Sequence, residues 1–259
     1  MRHGPVLILN SNYPVESKLK IMEPDRLFIK RLTAMMGMAV ILTVSSCNRT
    51  PGEPWRELFN GEDLTGWEIV DGFAEPRVED GVLMVEQVDT ANFVYLINRE
   101  VLSDYILELD VKLTGELNSG ILIRGLRDPL TNNGLSHGFQ MEIDQTARKW
   151  TGGIYEERGR NWLTPLDGMP EALEAYRVSD WNHYRIEAIR DTFKIWVNEV
   201  PTTYLIDGKT DKGIIGFQIH KVPPDIEPGL LQLRNIRVIT DKPERFSRPI
   251  SLPPVDTAF

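Results

Sequence analysis

The sequence predicts an all-β protein built as a sandwich of two antiparallel sheets with one short helix. Short runs in which apolar and polar residues alternate with period two recur along most of the chain. Gly, Asn and Asp separate many of them, as in Glu79-Asp80-Gly81, Arg190-Asp191 and Asp207-Gly208-Lys209. Strands do not alternate with long helical patterns, and there is no heptad or internal repeat, so the strands must cover one another.

Taken in order, the chain opens on a leader. Lys30-Arg31 precedes Leu32–Val44, an apolar run of thirteen residues, too short to span a bilayer and of the length of a signal-peptide core. It ends in Val44-Ser45-Ser46-Cys47, which resembles the lipobox of bacterial lipoproteins, and Cys47 is the only cysteine. Residues 1–46 therefore read as a lipoprotein signal peptide, and Cys47 as the lipidated residue of a cell-envelope protein on a periplasmic or outer-membrane face. A lipidated Cys47 leaves no thiol for a disulfide. Met22 heads a more usual charged region than Met1, so either marks the start.

From Cys47 onward the chain holds 213 residues, enough for one β domain with a substantial core. The leader takes six of the 29 Lys and Arg and three of the 38 Asp and Glu, leaving 23 against 35, a net charge near −12. That balance opposes nucleic acid and anionic lipid, except through the lipid anchor itself, and suits a neutral or cationic ligand.

Residues 47–56, with two prolines and a glycine, read as a tether, residues 57–241 as the sandwich, and residues 242–259, with Pro253-Pro254, as a loose tail. Strand patterns cover Val82–Glu86, Phe93–Ile97, Tyr105–Leu113, Ile121–Arg124, Gly138–Asp144, Gly153–Tyr155, His183–Arg190, Thr192–Val197, Ile214–His220 and Leu230–Ile239. The helix is expected over Pro170–Tyr176.

In Gly138–Asp144, Phe139, Met141 and Ile143 alternate with Gln140, Glu142 and Asp144, an amide and two carboxylates on one strand face. Elsewhere Phe217 and Ile219 oppose Gln218 and His220, Leu231 and Leu233 oppose Gln232 and Arg234, and Arg124 lies opposite Ile121 and Ile123. If these strands are neighbours, one sheet face carries Arg124, Gln140, Glu142, Asp144, Gln218, His220 and Arg234. Such a set suits a polyol, whose hydroxyls both donate and accept. His220 reads equally as a structural imidazole, and Trp162 as a sugar platform or a loop anchor. His137 and Arg160 are loop candidates for ligand contact, while His183, among aromatics, reads as packing. Glu142, Asp144 and His220 would also suit a divalent ion, although no close-spaced ligand motif is present.

Over residues 56–240 the chain resembles the 3-keto-disaccharide hydrolase family. The resemblance rests on Leu58-Phe59-Asn60-Gly61 with Leu64-Thr65-Gly66-Trp67, on Asn118-Ser119-Gly120-Ile121 with Arg124, and on Gly138–Asp144. It continues through Thr151-Gly152-Gly153-Ile154-Tyr155, Gly159-Arg160-Asn161-Trp162-Leu163, Trp181-Asn182, Ile195-Trp196-Val197-Asn198, Gly216–His220 and Leu233–Arg237. Glu199 departs from the Gly that commonly follows Asn in the family's hairpin turn. The resemblance implies a concanavalin A-like jelly roll, often a lipoprotein, acting on glycosides oxidised to a ketone at C3. The sequence itself requires no cofactor, and a divalent metal stays open.

A C3 carbonyl acidifies the C2 proton, so a base removes it and the C1 aglycone leaves by β-elimination, with water adding back for net hydrolysis. Chemical type offers Glu142 or His220 as base, Arg124 for the enolate oxygen, and Asp144 or Tyr155 for the leaving group. Gln140, Tyr155, Arg160, Trp162, Gln218, Arg234 and His137 are the expected substrate contacts. Two other functions stand beside this one. Gln140-x-Glu142-x-Asp144 is similar to the acidic strand of laminarinase-like glycoside hydrolases, with an amide in place of the first carboxylate. A sandwich of this size also suits a non-catalytic carbohydrate-binding lipoprotein.

Overall fold

In the computed structural model, the described residues are 52, 54–87, 93–128, 134–222 and 224–257. The leader and Cys47 lie outside them. The strands are β1 Arg56–Glu57, β2 Trp67–Val70, β3 Arg77–Glu79, β4 Val82–Glu86, β5 Val94–Asn98 and β6 Tyr105–Thr114. They continue with β7 Ser119–Asp128, β8 Gly134–Ile143, β9 Ile154–Glu157, β10 Asn161–Trp162 and β11 Asn182–Ile189. The last are β12 Thr192–Val197, β13 Val200–Ile206, β14 Ile214–Ile219, β15 Leu230–Ile239 and β16 Val255–Asp256.

Two sheets result. Nine strands form one, in the order β16-β13-β12-β11-β6-β15-β4-β3 with β1 added to β15; the other runs β10-β9-β8-β7-β14-β5-β2. Pairing is antiparallel except where β16 joins β13. The inner faces meet in one core: Leu107, Leu109, Val111, Ile186 and Phe193 from the larger sheet against Phe139, Met141, Ile143, Phe217 and Ile219 from the smaller. Phe139 touches Phe193 across the gap, ring centroids 4.9 Å apart. The alternation read from the sequence thus assigns the buried faces of β8 and β14 as expected, in a concanavalin-like jelly-roll sandwich.

Three expectations need correction. The helix is shorter: α1 spans only Pro170–Leu173, beginning at Met169 without a side-chain cap, and the chain then turns so that Tyr176 packs on the core. The C-terminal segment is not loose. A 3₁₀ turn at Pro243–Phe246 brings the Phe246 carbonyl to the buried Arg185 guanidinium at 2.7 Å, Ser247 donates to Glu187 at 2.6 Å, and β16 pairs with β13. Finally, β15 lies in the larger sheet, so Arg234 does not share a face with Gln140.

Candidate functional site

The outer face of the smaller sheet carries the candidate site. Neighbouring strands β9, β8, β7 and β14 set Tyr155 beside Gln140, Gly120 beside Glu142, and Gln218 beside Gly120. Gly120 leaves a notch that the Gln140 side chain fills; a Cβ there would meet Gln140 Cδ at 2.4 Å. Over this floor lies a cleft of about 320 Å³ lined by Asn118, Gln140, Glu142, Arg148, Glu157 and Gln218, with aromatic and imidazole groups at its sides.

One side is Tyr155 and Trp162, ring centroids 5.4 Å apart, with Trp150 edge-on to Trp162 at 4.7 Å. The Arg148 guanidinium lies 4.7 Å from the Trp162 ring centroid and 5.1 Å from that of Trp150. On the other side Phe93 packs against His220 at 5.8 Å. An amide and carboxylate floor between aromatic walls offers apolar contact to sugar C–H faces and hydrogen bonds to their hydroxyls.

The floor is a connected network. Gln140 Nε2 donates to Glu142 Oε2 at 3.2 Å and to Gln218 Oε1 at 3.3 Å. Gln218 Nε2 donates to the Tyr95 hydroxyl at 3.0 Å and to Glu157 Oε1 at 3.1 Å. Glu142 Oε1 also accepts from Asn118 at 2.8 Å and from Arg148 at 3.1 Å.

Burial raises the Glu142 carboxyl above its ordinary range, and nearby Asp144 adds to this; Asn118, Gln140 and Arg148 only partly oppose it. Glu157 is raised in the same way, by burial first and then by Glu142. Burial lowers His220, keeping its imidazole neutral near pH 7. Tyr155 is raised by burial and by both glutamates.

Of the residues expected from sequence, Gln140, Glu142, Tyr155, Trp162, Gln218 and His220 come together here. Asp144 stands behind the cleft. Burial would raise it, but hydrogen bonds from Thr146 and Arg148 outweigh that and hold it low, and Arg148 Nε reaches its Oδ2 at 2.7 Å.

Four expected residues are elsewhere. Arg124 sits at a register shift in β7 with φ of 49°; the irregularity ends the alternation and sends its side chain into the interior. There it is fully buried, and its five N–H groups go to the carbonyls of Ser103, Ala188, Arg190 and Thr210 and to Asp104. Arg234, on the larger sheet, bonds Asp110 at 3.2 Å and stacks 4.0 Å from the Trp181 ring centroid. Arg160 and His137 both turn to the buried Glu156: His137 Nε2 is 2.5 Å from Glu156 Oε1, and Arg160 bonds Glu156 and Asp207. Sequence reasoning missed Arg148, Glu157, Asn118 and Phe93. Only Glu157 carried a signal, two residues beyond Tyr155 on one strand face.

Among the described residues no group of three or more His, Cys, Asp or Glu is arranged to hold a metal ion. Glu142, Asp144 and His220 are therefore not gathered as a ligand set.

A family model described as a 3-keto-alpha-glucoside-1,2-lyase-like domain matches residues 54–239. No curated protein matches the chain by sequence. Among solved structures, a Parabacteroides distasonis protein provisionally named a glycosyl hydrolase is 16% identical with a TM-score of 0.54, the match covering 72% of this chain and 93% of that one. A Bacillus subtilis protein of unknown function with a galectin-like fold is 14% identical with a TM-score of 0.54, over 72% of this chain and 94% of the other. At such identities these likenesses establish the sandwich fold and nothing about chemistry.

Proposed function

The chain belongs to the 3-keto-alpha-glucoside-1,2-lyase-like domain family, and from that premise we propose that it cleaves glycosides already oxidised to a ketone at C3. The observation that carries the reading is Glu142, a desolvated carboxyl raised in pKa at a cleft walled by Tyr155, Trp162 and Phe93 and hydrogen-bonded by Asn118, Gln140 and Arg148. A raised pKa makes the carboxylate a stronger base near its operating pH.

In this reading Glu142 takes the proton from C2. The C–H electron pair forms the C2–C3 double bond, and the carbonyl π pair moves to the C3 oxygen as an enolate. When the enolate collapses, a C1–C2 double bond forms and the C1–O bond breaks; the aglycone oxygen keeps that electron pair and takes a proton. Glu157, raised by burial and by Glu142, is suited to hold that proton. Arg148 takes the role expected of Arg124: it is the cation at the cleft, held by two carboxylates and two indoles, and offers a charged donor to the enolate oxygen. His220, neutral and at the cleft wall, is the alternative base. Water adding across C1 and C2 gives net hydrolysis.

With Asp144 behind the cleft, its oxygens bonded to Arg148 and Thr146, an ordinary glycosidase would have to use Glu142 and Glu157 as its two carboxyl groups. Incubation with a glucoside and its C3-oxidised form separates the possibilities. Cleavage of the oxidised form alone is expected; cleavage of both would favour the ordinary glycosidase, and of neither a binding module. Glu142→Gln should then lose about 10²–10⁴ in kcat/KM, whereas Glu116→Gln, in an exposed loop, should match wild type. Equal turnover by the two variants would reject Glu142.

For the leader, the reading is an exported lipoprotein anchored through Cys47, supported by the charged, apolar, small-residue order ahead of that residue. Mass spectrometry of protein from the native membrane should find residues 1–46 removed and Cys47 acylated; an unmodified Cys47 would end that reading.

A further inference from the structure

Asp144 lies behind the cleft, yet it holds a side chain that lines it. Its carboxylate is fully buried, whereas the Arg148 side chain is 39% exposed and borders the cleft. Oδ1 accepts from the Thr146 N–H at 2.9 Å and Oδ2 from the Trp150 N–H at 3.4 Å, so the carboxylate gathers the loop that follows β8. Oδ2 also takes Arg148 Nε at 2.7 Å, while Arg148 Nη2 reaches Glu142 Oε1 at 3.1 Å. One edge of the guanidinium is thus divided between two carboxylates, with Trp150 and Trp162 against it. Among the described residues, Nη1 has no protein acceptor. The N–H groups of a guanidinium form a rigid fork, so anchoring Nε fixes where the others point.

We propose that Asp144 is a positioning residue: by holding Arg148 at Nε it keeps the guanidinium from closing on Glu142 and leaves Nη1 for a ligand oxygen. The proposal rests on the roles given above to Glu142 as base and Arg148 as donor. Without Asp144, the carboxylate left to Arg148 is Glu142, and a guanidinium takes a single carboxylate through two N–H groups. The consequence for Glu142 has a definite sign. Burial sets its raised carboxyl, Asp144 adds to the rise, and Arg148 opposes it. Losing Asp144 and tightening Arg148 both move Glu142 down. The other titratable groups facing Glu142 are Glu157 and Tyr155 from β9 and His220 from β14; all three are kept in the variants below.

Asp144→Asn tests this, because Oδ1 keeps the Thr146 N–H while the new amide meets Arg148 Nε donor to donor. The first readout needs no substrate. In protein isotope-labelled at its glutamate carboxyl carbons, the Glu142 NMR signal is the one missing from Glu142→Gln. Its titration midpoint should move to lower pH in Asp144→Asn. A purely structural Asp144 would lower stability and leave that midpoint in place. An unmoved or higher midpoint in the folded variant overturns the proposal. This readout holds whether or not any glycoside is cleaved, so failure of the lyase reading and failure of this one are distinct.

The second readout is turnover of a methyl 3-keto-glucoside. Asp144→Asn should lose about 10- to 100-fold in kcat. The acid limb of its pH profile should lie below that of wild type, because a base of lower pKa stays ionised further down. Arg148→Lys keeps a cation for Asp144 and should lose a similar amount, since an ammonium lacks the fork that serves two carboxylates and a ligand together. It carries the test even where Asp144→Asn fails to fold. The double variant should be no slower than the slower single one, as expected of two residues acting as a unit. Wild-type kcat in Arg148→Lys, or losses that multiply in the double variant, overturn the proposal.

Discussion

The outer faces of the two sheets carry similar residues and behave in opposite ways. On the larger sheet, Arg185 is fully buried between Glu108 at 2.7 Å and Glu187 at 2.9 Å, and Arg237 reaches Glu108 at 2.7 Å. His183, Arg234 and Asn235 all serve Asp110. Burial alone would raise Glu108 and Asp110, but these partners outweigh it, and both carboxyls end below their ordinary range. On the smaller sheet burial wins at Glu142 and Glu157. The first face is a closed set of ion pairs under the C-terminal segment; the second keeps unmet electrostatic demand at a cleft. Polarity alone does not mark a site; incomplete compensation does.

The largest separation of the two faces should come from paired substitutions. Glu142→Gln, which the proposed chemistry expects to cost about 10²–10⁴ in rate, should leave folding stability equal or higher, because it removes a charge that burial disfavours. Arg185→Met should do the reverse. Taking the shared buried cation from Glu108 and Glu187, which keep only Arg237 and Ser247 among the partners named, should cost about 3 kcal/mol in denaturant unfolding, with kcat/KM per folded molecule unchanged. A catalytic loss at Arg185 without a loss of stability would break the comparison.

A smaller and more diagnostic effect lies in pH. The folded-state pKa of Glu142 is above its unfolded value, so its ionisation costs stability as pH rises through the unfolded and then the folded value. Glu108 is lowered, so its contribution is present above the unfolded value and is lost as pH falls through the folded one. Urea unfolding between about pH 3 and pH 8 should therefore show wild type losing ground to Glu142→Gln with rising pH and gaining on Glu108→Gln. Slopes of the same sign would refute the contrast.

The smallest effect is expected at Arg234, a half-buried partner of Asp110. Arg234→Ala should cost about 1 kcal/mol or less and leave turnover and its substrate preference untouched. A loss of turnover in a folded Arg234→Ala protein would return that residue to the site.

The fold was legible because one face of each long strand is buried, and period two records that directly: Phe139, Met141 and Ile143 read correctly from seven residues. The site was legible only where strands adjacent in one sheet supplied it, as with Gln140, Glu142 and Gln218. Arg234 misled because alternation does not say which sheet a strand joins. Arg124 misled because a bulge leaves no mark in composition. Arg148 lies between β8 and β9, where no period applies, and reaches the cleft by stacking on Trp150 and Trp162. Short edge strands such as β10 and β16, two residues each, are below the length at which alternation can be recognised.

Arg124 has one more consequence, and it concerns time. Its guanidinium joins backbone from before β6, from the β11–β12 hairpin and from before β14 to a strand of the opposite sheet, across sequence separations of 20 to 86 residues. No single hairpin can satisfy it, so this set of bonds closes only when both sheets have docked. A group satisfied late belongs to the unfolding barrier and not to the folding nucleus. Replacing Arg124 should accordingly leave the refolding rate nearly unchanged and accelerate unfolding. The residue that sequence placed at the chemistry would then be one that sets how long the folded protein lasts.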